Sequence, residues 1–369
     1  MSKSIVMFHP YVSDGAIKRV TDVLHSRWIG QGSLVDDFER ALEDQLNVPH
    51  VLAVNTSSSA LRLALSLVDV KPGDEVITTP MTCTLTNHPI LEQFAVPVFS
   101  DIQYDSGNID PNDIEHRITS RTKAIVCTHW GGTPCDLSEL LEIADRHGLD
   151  VIEDASEAMG ASYKGKPIGA ISRFTAFSFQ AIQIITTGEG GALCTTNPED
   201  CERARIQRWY GIDRKGRKPN GVGYYDFDIT VMGFGYHMTN LSAAIGLESL
   251  NSLPSMLARR KWVASRYRSE LEKVSGLTLL KATNDRESSN HFFTVHVERR
   301  DDFCRKMKDH GIEVSIVHYR NDAYTVFGGL RRDLPKLSKF AESYVALPSH
   351  MFLEPEDVEY IIKTIQSGW

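Results

Sequence analysis

From about residue 50 to residue 200, short apolar runs alternate with segments in which apolar residues recur at a helical period. The runs are rich in β-branched residues, as expected of buried strands, and the segments between them place apolar residues on one helical face. Strands are predicted at 51–54, 75–79, 97–101, 123–129, 150–154, 174–179 and 191–196, and helices at 58–67 and 137–147. This alternation predicts an α/β fold, with a mostly parallel sheet and helices on both faces.

The pattern changes after about residue 250. A long helical pattern at 254–274 leads into a more mixed sequence, with strands predicted near 291–298 and 312–318. We therefore predict a large domain at 1–250 and a smaller α+β C-terminal domain at 251–369.

Composition and charge narrow the class of protein. The 369 residues are 41% hydrophobic and 24% charged, a globular balance that argues against disordered or fibrous structure. A net charge of −8 without a Lys/Arg cluster argues against a nucleic-acid partner. Because no apolar run reaches membrane-spanning length and no signal-peptide pattern is visible, no membrane partner is expected.

The six cysteines form no C-x-x-C pair. Neither a disulfide framework nor a zinc site is therefore predicted, and no other metal is expected. These features together predict a cytoplasmic enzyme.

Polar residues follow several of the predicted strands. Asn55, Asp154 and Ser178 lie at or just beyond strand ends, where parallel sheets bind their ligands. The segment N-T-S-S-S-A-L at 55–61 runs from a strand into a helix, and hydroxyls with free N–H groups at a helix start form an anion-binding cup. Simple N-capping produces the same Ser-rich sequence, so this segment alone leaves both interpretations open.

Two neighbouring segments carry a family resemblance, V-I-E-D-A-S-E-A-M-G-A at 151–161 and R-F-T-A-F-S-F-Q-A-I-Q-I-I-T-T-G-E-G-G at 173–191. They resemble the cofactor site of the nucleotide-sugar aminotransferases of the DegT/DnrJ/StrS type, which are fold-type I pyridoxal-phosphate enzymes. The resemblance covers nearly the whole chain. It implies an aspartate-aminotransferase-like fold, with a three-layer large domain and a smaller C-terminal domain, and pyridoxal 5′-phosphate or pyridoxamine 5′-phosphate as cofactor.

The resemblance also implies a role for each matching residue. Asp154 would keep the pyridinium nitrogen protonated, so that the ring acts as an electron sink. Ala155 would lie under the ring, and Glu157 would approach the ring hydroxyl. Three hydroxyls would hold the phosphate, those of Ser57, Ser58 and Ser178. Without the resemblance, Asp154 would be read as an acidic residue capping a strand end.

Gln183 occupies the position at which the family has a lysine that holds the cofactor as a Schiff base. A lysine amine forms that link and then moves a proton, whereas a carboxamide is neither nucleophilic nor basic near neutral pH. Glutamine retains roughly the reach of lysine and a hydrogen-bond donor. An engineered Lys→Gln change and a natural departure both explain it. The natural explanation has a parallel in a 3-dehydratase branch of the family, where histidine replaces this lysine.

Two further positions depart from the family pattern. Cys83 stands where an aromatic ring usually covers the cofactor, although a buried structural cysteine is the commoner interpretation. Gly235, in G-F-G-Y-H-M-T-N at 233–240, replaces an asparagine that in relatives reaches the phosphate of the partner subunit. Asn240 matches the pattern, and the resemblance places it among the cofactor-binding residues.

The substrate side is indicated by three motifs. R-W-I-G-Q-G at 27–32 resembles a turn whose N–H groups meet the substrate, here near Gly30. His129 and Trp130 begin an H-x-x-G motif expected to face the substrate. His318 and Arg320 are candidates to contact a sugar diphosphate, and a solvated loop is the alternative.

The resemblance implies transfer of an amino group from glutamate, through the cofactor, to a keto group of a nucleotide-linked deoxysugar. Because residue 183 is Gln, this chain would be an inactive or trapped form. Two alternatives stay open, a sugar 3-dehydratase that uses the aminated cofactor and a lysine-less binding or regulatory protein. A homodimer is expected, since in relatives the segment 233–240 reaches the neighbouring site.

Overall fold

The computed structural model describes residues 4–369. Its strands are β1 (His50–Val54), β2 (Glu75–Thr78), β3 (Val96–Phe99), β4 (Thr122–Thr128), β5 (Asp150–Asp154), β6 (Ser162–Tyr163), β7 (Lys166–Pro167), β8 (Phe174–Ser178), β9 (Gly191–Thr195), β10 (Lys218–Pro219), β11 (Tyr225–Asp226), β12 (Leu277–Leu279), β13 (Arg286–Glu287), β14 (Phe293–Val297) and β15 (Tyr344–Leu347).

The α-helices are α1 (Asp14–Ser26), α2 (Ser33–Leu46), α3 (Ser57–Leu67), α4 (Thr84–Glu92), α5 (Pro111–Arg117), α6 (Leu137–His147), α7 (Pro198–Arg208), α8 (Asn240–Asn251), α9 (Leu253–Leu271), α10 (Arg300–Asp309), α11 (Pro335–Ser343) and α12 (Pro355–Gln366). Short 3-10 turns occur at Trp130–Gly132, Asn321–Ala323 and Thr325–Phe327. No helix within residues 4–369 is long and apolar enough to cross a membrane.

A seven-stranded sheet in the order β1-β9-β8-β5-β4-β2-β3 organises the larger part of the chain. The pairs from β8 through β5, β4 and β2 to β3 are parallel, while β9 runs antiparallel to β8 and β1. Separate apolar cores cover its two faces, one with Phe38 and Leu140 and the other with Leu63 and Ala204. Helices on both faces of a mostly parallel sheet confirm the predicted three-layer α/β architecture.

The register of this sheet gathers the predicted site. Asp154 at the end of β5 pairs with Thr128 on β4 and Ala176 on β8. Ser178 at the end of β8 lies opposite Gly191, which in turn lies opposite Val54 at the end of β1. Three chain segments far apart in sequence therefore meet where the carboxyl ends of β1, β5 and β8 lie side by side.

The C-terminal part contains an antiparallel sheet in the order β12-β14-β15. Its core joins residues of α9, α10 and α12, and Ile5 near the start of the described chain packs in the same core. Strand β14 confirms the strand predicted near 291–298.

The strand predicted at 312–318 is wrong. Only isolated bridges form there, from Ile312 to Ile5 and from Ser315 to Ala346. Beyond Ser315 the chain leaves the sheet and crosses to the larger part of the molecule, where the N–H of Asn321 donates to the carbonyl of Pro80 at 2.7 Å. This crossing segment, residues 316–322, is called the crossing loop below.

Candidate active site

Asp154 is the carboxylate at the centre of the site. It is buried at the end of β5. Its Oδ1 accepts hydrogen bonds from the N–H of Ser156 at 3.0 Å and from the Ser156 hydroxyl at 2.6 Å, and its Oδ2 accepts one from the Thr86 hydroxyl at 2.6 Å. Three donors therefore orient a buried carboxylate, as a buried charge requires.

A chain of hydroxyls supports this carboxylate. The Thr128 hydroxyl donates to Thr82 at 3.2 Å, and the hydroxyls of Thr82 and Thr86 are 2.7 Å apart. Because Thr86 gives its own proton to Asp154, Thr82 is the donor in its bond to Thr86. The chain therefore runs in one direction, from β4 to the carboxylate.

The predicted phosphate cup lies beside the end of β8. Thr56 is the N-cap of α3, and its side chain accepts from the N–H of Ser59 at 3.1 Å. Ser57 and Ser58 form the first turn of α3, and the Ser178 hydroxyl accepts from the N–H of Gln180 at 3.3 Å. The helix start is therefore capped, which bears out the N-capping interpretation. Hydroxyls and backbone N–H groups also lie near the positive end of the helix dipole, and anion binding there stays a prediction.

Gly191 makes this arrangement possible. A Cβ atom at this position would lie 2.6 Å from the N atom of Ser57. A side chain here would push β9 away from the start of α3, so glycine is required for the close approach of the two elements.

Gln183 lies in a turn after β8, where its N–H donates to the carbonyl of Gln180 at 2.9 Å. Its side-chain oxygen is buried and has no hydrogen-bond partner among the described residues. A buried carbonyl oxygen without a partner costs about 1–3 kcal/mol. Such a group is compensated when a ligand supplies a donor.

Glu157 lies on the turn that follows Asp154, and both of its carboxylate oxygens are engaged. Oε2 accepts from the N–H of Gly131 at 2.7 Å. Oε1 lies 2.8 Å from Nε2 of His318, which the crossing loop brings from the C-terminal part. Burial lowers the pKa of His318, but hydrogen bonds with Cys83 and Glu157 outweigh it and raise that pKa to about 10. The raised pKa favours the protonated form of His318 beside Glu157 at neutral pH.

Asn321 fixes the crossing loop. It is fully buried, and its Nδ2 donates to the carbonyl of Thr82 at 2.6 Å. Its Oδ1 accepts from Nδ2 of Asn87 at 2.9 Å. The Tyr344 hydroxyl donates to the carbonyl of His318 at 2.7 Å. These bonds hold His318 and Cys83 on one side of the site.

The structure corrects the expectation that His129 faces a substrate. Its ring is fully buried, with Nε2 2.8 Å from Oε2 of Glu153. Nδ1 accepts from the N–H of Cys135 at 3.1 Å, which places the ring proton on Nε2. With both nitrogens engaged below the site, His129 has no free group for a ligand.

Trp130 is corrected in the same way. It is 2% exposed, and its indole N–H donates to the Thr294 hydroxyl at 3.1 Å. Its ring packs edge-on against Phe292 and His318. Trp130 therefore links the two parts of the protein and supports the crossing loop.

Arg320 is also corrected as a diphosphate ligand. Its guanidinium forms two hydrogen bonds with the Asp322 carboxylate, at 2.7 and 2.6 Å, and a third with the Ser338 hydroxyl at 3.0 Å. It is 6% exposed. A buried bidentate pair leaves this arginine no free charge to offer to a phosphate.

Asn240 and Gly30 lie together. The N–H of Asn240 donates to the carbonyl of Gly30 at 2.9 Å, and its Nδ2 donates to the carbonyl of Trp28 at 3.1 Å. Its Oδ1 is buried and has no partner among the described residues. Gly30 is exposed, and a Cβ there would meet nothing within 4 Å. Asn240 therefore holds the 27–32 turn by hydrogen bonds on one side, and Gly30 leaves its other side exposed.

At Gly235 a Cβ would lie 2.6 Å from the hydroxyl oxygen of Tyr210. The structure thus gives a reason for the glycine, because Tyr210 occupies the space that an asparagine side chain would need.

Sequence reasoning missed Thr86, Ser156 and Asn321. Thr86 lies one helical turn after Cys83, near the start of α4. Its closeness to a predicted cofactor-binding residue was therefore a signal that could have identified it. Asn321 offered none, because its partners at residues 82 and 87 are more than 230 positions away.

Comparison with known proteins shows the family to which the chain belongs. Residues 10–366 match the model of the DegT/DnrJ/EryC1/StrS aminotransferase family, and the chain belongs to that family. AtS13 from Actinomadura melliaura has a similar structure, with a TM-score of 0.95 and 39% identity over 100% of both chains. A GDP-perosamine synthase from Caulobacter vibrioides is 33% identical over 94% of this chain and 93% of its own length.

The putative sugar aminotransferase Spr1654 from Streptococcus pneumoniae, solved in a PMP form, has a TM-score of 0.92 and 30% identity, over 99% of this chain and 97% of its own. The same protein has been solved in a PLP form. The predicted family and fold class are thereby confirmed, and the predicted cofactor is the one that these structures name.

Proposed function

We propose that this protein binds pyridoxal 5′-phosphate or pyridoxamine 5′-phosphate without a covalent link, in a site built to transfer an amino group to a nucleotide-linked keto-deoxysugar. The observation that carries the proposal is the buried Asp154 carboxylate, oriented by Thr86 and Ser156, at the same sheet edge as the α3 cup. Membership of a sugar aminotransferase family supports the reaction class. A relative named as a GDP-perosamine synthase supports a nucleotide-linked substrate.

The residues fit the cofactor. Asp154 would hold the ring nitrogen, and Ser57, Ser58 and Ser178 would hold the phosphate at the start of α3. Buried Ala155 would form the floor beneath the ring. The unpartnered oxygen of Gln183 indicates that a hydrogen-bond donor is missing from this site. When bound, the cofactor supplies an electron sink for bonds at the carbon that carries the amine.

Gln183 decides what the chain itself performs. A carboxamide neither attacks a carbonyl carbon nor accepts a proton near neutral pH. Gln183 would therefore neither form the covalent link to the cofactor nor move the proton, which are the two roles of the lysine in the family. Gln183 would orient the bound cofactor by hydrogen bonding only. We infer that this chain is an inactive or trapped form of a transaminase that uses glutamate as amino donor.

A second copy of the chain completes the proposed site. The segment 222–232 exposes several apolar side chains, with Val222, Tyr224 and Met232 each at least 70% exposed. Exposed apolar side chains this close together are typical of a protein interface. The segment leads directly into residues 233–240, so we propose a homodimer in which these residues approach the neighbouring cofactor.

All six cysteines are free thiols, which suits a reducing cytoplasm.

The test compares the unchanged chain with Gln183→Lys. The unchanged chain, loaded with pyridoxal 5′-phosphate, should lose it on dialysis, and borohydride should fix none to the protein. Gln183→Lys should retain it, become labelled by borohydride at residue 183, and convert it to the aminated form when glutamate is added.

Gln180→Lys is the matched control, because it places a lysine in the same turn three residues earlier. It should bind the cofactor without a borohydride-stable link. A Gln183→Lys protein that links the cofactor and ignores every amino donor would refute the aminotransferase proposal. A borohydride-stable lysine adduct on the unchanged chain would refute non-covalent binding.

A further inference from the structure

Arg260 on α9 is a buried cation. The residue is 5% exposed, and the hydrogen bonds of its guanidinium within the described chain all leave from one nitrogen. Nη1 donates to the carbonyls of His291 at 2.7 Å, Ser349 at 2.5 Å and Asn290 at 3.4 Å. Backbone carbonyls orient a cation but do not neutralise it, and a buried arginine is almost always paired with an opposite charge.

The side chains around Arg260 do not supply that opposite charge. Burial lowers the pKa of Arg260 to about 10, and within residues 4–369 no carboxylate acts against burial. Burial lowers the pKa of neighbouring His350 to about 4, although Asp357 acts on it in the opposite direction. Burial also lowers the pKa of His291 strongly. Both histidines are therefore neutral at neutral pH, and the charge of Arg260 has no negative partner in the described chain.

Polar atoms without a hydrogen-bond partner cluster on the same residues. Nε of Arg260, Oγ of Ser349 and Nδ1 of His291 are buried and have no partner among residues 4–369. Ser349 is 1% exposed and His291 is 2% exposed. Nδ1 of His350 is also without a partner, but its Nε2 lies 3.0 Å from the carbonyl of Val6 and must carry the ring proton. His350 can therefore only accept there, whereas the other three can donate.

The fold brings these three donors together from separate elements. Strand β14 pairs with β15 so that Phe293 lies opposite Leu347, and the same register places residues 291 and 349 side by side where the two strands end. Bonds from one nitrogen of Arg260 to both of their carbonyls fix α9 at this point. The ring of Phe8 stacks on His291 with the centroids 5.6 Å apart. The donors are therefore enclosed by α9, the ends of β14 and β15, and the N-terminal segment.

We propose that a small inorganic anion, of the charge and size of chloride, binds at this place and accepts hydrogen bonds from Arg260 Nε, the Ser349 hydroxyl and Nδ1 of His291. The anion supplies the negative charge that the buried guanidinium lacks and satisfies three buried donors. A water molecule would satisfy the donors and leave the charge uncompensated. The site is separate from Asp154 and does not depend on the proposed function.

The first test uses crystals of the unchanged chain grown with sodium bromide in place of chloride. Bromide replaces chloride in such sites and gives an anomalous X-ray signal. We expect an anomalous peak in contact with Arg260 Nε and Ser349 Oγ. Density for a water molecule without anomalous signal at this place, or bromide bound only elsewhere on the protein, would overturn the proposal.

The second test measures thermal unfolding in solution, with sodium chloride exchanged for sodium gluconate at constant ionic strength. An anion that binds only the folded state should raise the melting temperature by about 2–4 °C at a chloride concentration well above its dissociation constant. Ser349→Ala removes one donor to a charged group and should raise the chloride concentration needed for half of this shift about tenfold or more. Ser265→Ala is the matched control on α9, because the exposed Ser265 hydroxyl donates to the carbonyl of Trp262.

Each result of the solution test decides for or against the anion. A chloride response that is weakened in Ser349→Ala and unchanged in Ser265→Ala supports it. Equal melting temperatures in chloride and gluconate show that no small anion is bound, and an equal chloride response in both variants places any bound anion elsewhere, so both overturn the proposal. If Ser349→Ala does not fold, the bromide crystal of the unchanged chain decides alone.

Discussion

The Thr86 hydroxyl donates a 2.6 Å hydrogen bond to Oδ2 of Asp154, across 68 positions of sequence. This bond ties the start of α4 to the end of β5 at the centre of the candidate site. Thr86→Val keeps the shape and removes the donor. We expect a loss of about 1–2 kcal/mol in the free energy of unfolding and weaker binding of pyridoxal 5′-phosphate.

Urea titration and spectroscopic cofactor titration measure the two effects of Thr86→Val. Thr21→Val is the control, because the Thr21 hydroxyl donates to the carbonyl of Ile17 on the surface of α1, away from the site. Equal cofactor affinity in both variants would show that this bond does not prepare Asp154 for its ligand.

Asn321→Ala should release the crossing loop. The substitution removes the donor to the carbonyl of Thr82 and the acceptor of one N–H of the Asn87 amide, whose other N–H keeps the carbonyl of Thr79. Each buried group left unsatisfied costs about 1–3 kcal/mol. We expect a lower melting temperature and faster hydrogen exchange in residues 316–322. Exposed Asn251→Ala should change neither quantity, and unaltered exchange in Asn321→Ala would contradict the anchoring role.

The His318–Glu157 pair should make stability depend on pH in a definite direction. The pKa of His318 is raised from 6.5 to about 10 in the folded protein, so the folded state holds this proton more tightly than the unfolded state. The pair's contribution is complete below pH 6.5 and declines as the pH rises toward 10.

Unfolding of the unchanged chain and of His318→Gln, measured between pH 5.5 and pH 10, tests this direction. The difference between the two should be largest at the acidic end, about 1.5–3 kcal/mol for a hydrogen bond between charged groups. A difference that grows with pH would contradict the assignment of the charge.

Gly132→Ala should destabilise the fold strongly. The residue has a φ of +87°, and an added Cβ would lie 2.5 Å from the carbonyl oxygen of Glu157 and closer still to the Ser289 hydroxyl. Backbone strain and overlap together should cost about 2–4 kcal/mol in urea unfolding. Gly30→Ala is the matched control, since a Cβ there meets nothing within 4 Å, and a similar cost in both would refute the steric explanation.

Sedimentation at micromolar concentration should show a dimer with or without cofactor. Its interface would bury the exposed side chains of 222–232, including Tyr224 and Met232. It would therefore form without the contact to the partner's cofactor phosphate that the asparagine replaced by Gly235 makes in relatives. Tyr224→Glu combined with Met232→Glu should shift the equilibrium toward the monomer and weaken cofactor binding. A monomeric unchanged chain that binds cofactor at full affinity would refute a shared site.

The sequence by itself determined the order of elements and the chemistry of the sheet edge. Short runs of apolar residues predicted strands β1 to β5, β8 and β9, because a strand buried on both faces consists largely of apolar residues. Polar residues after those runs located Asp154 and Ser178, since ligands bind beyond the carboxyl ends of parallel strands. The motif at 173–191 indicated the family and the departure at Gln183.

Tertiary structure decided which side chains are free to act. His129, Trp130 and Arg320 stand in motifs that pointed to a substrate, but Glu153, Thr294 and Asp322 engage them. A local sequence motif does not show whether a side chain is buried or which distant residue it is hydrogen-bonded to. The strand predicted at 312–318 failed for the same reason, because Asn321 is held at Thr82, 239 positions away. That long-range bond carries His318 to Glu157, and only the folded chain places the two together.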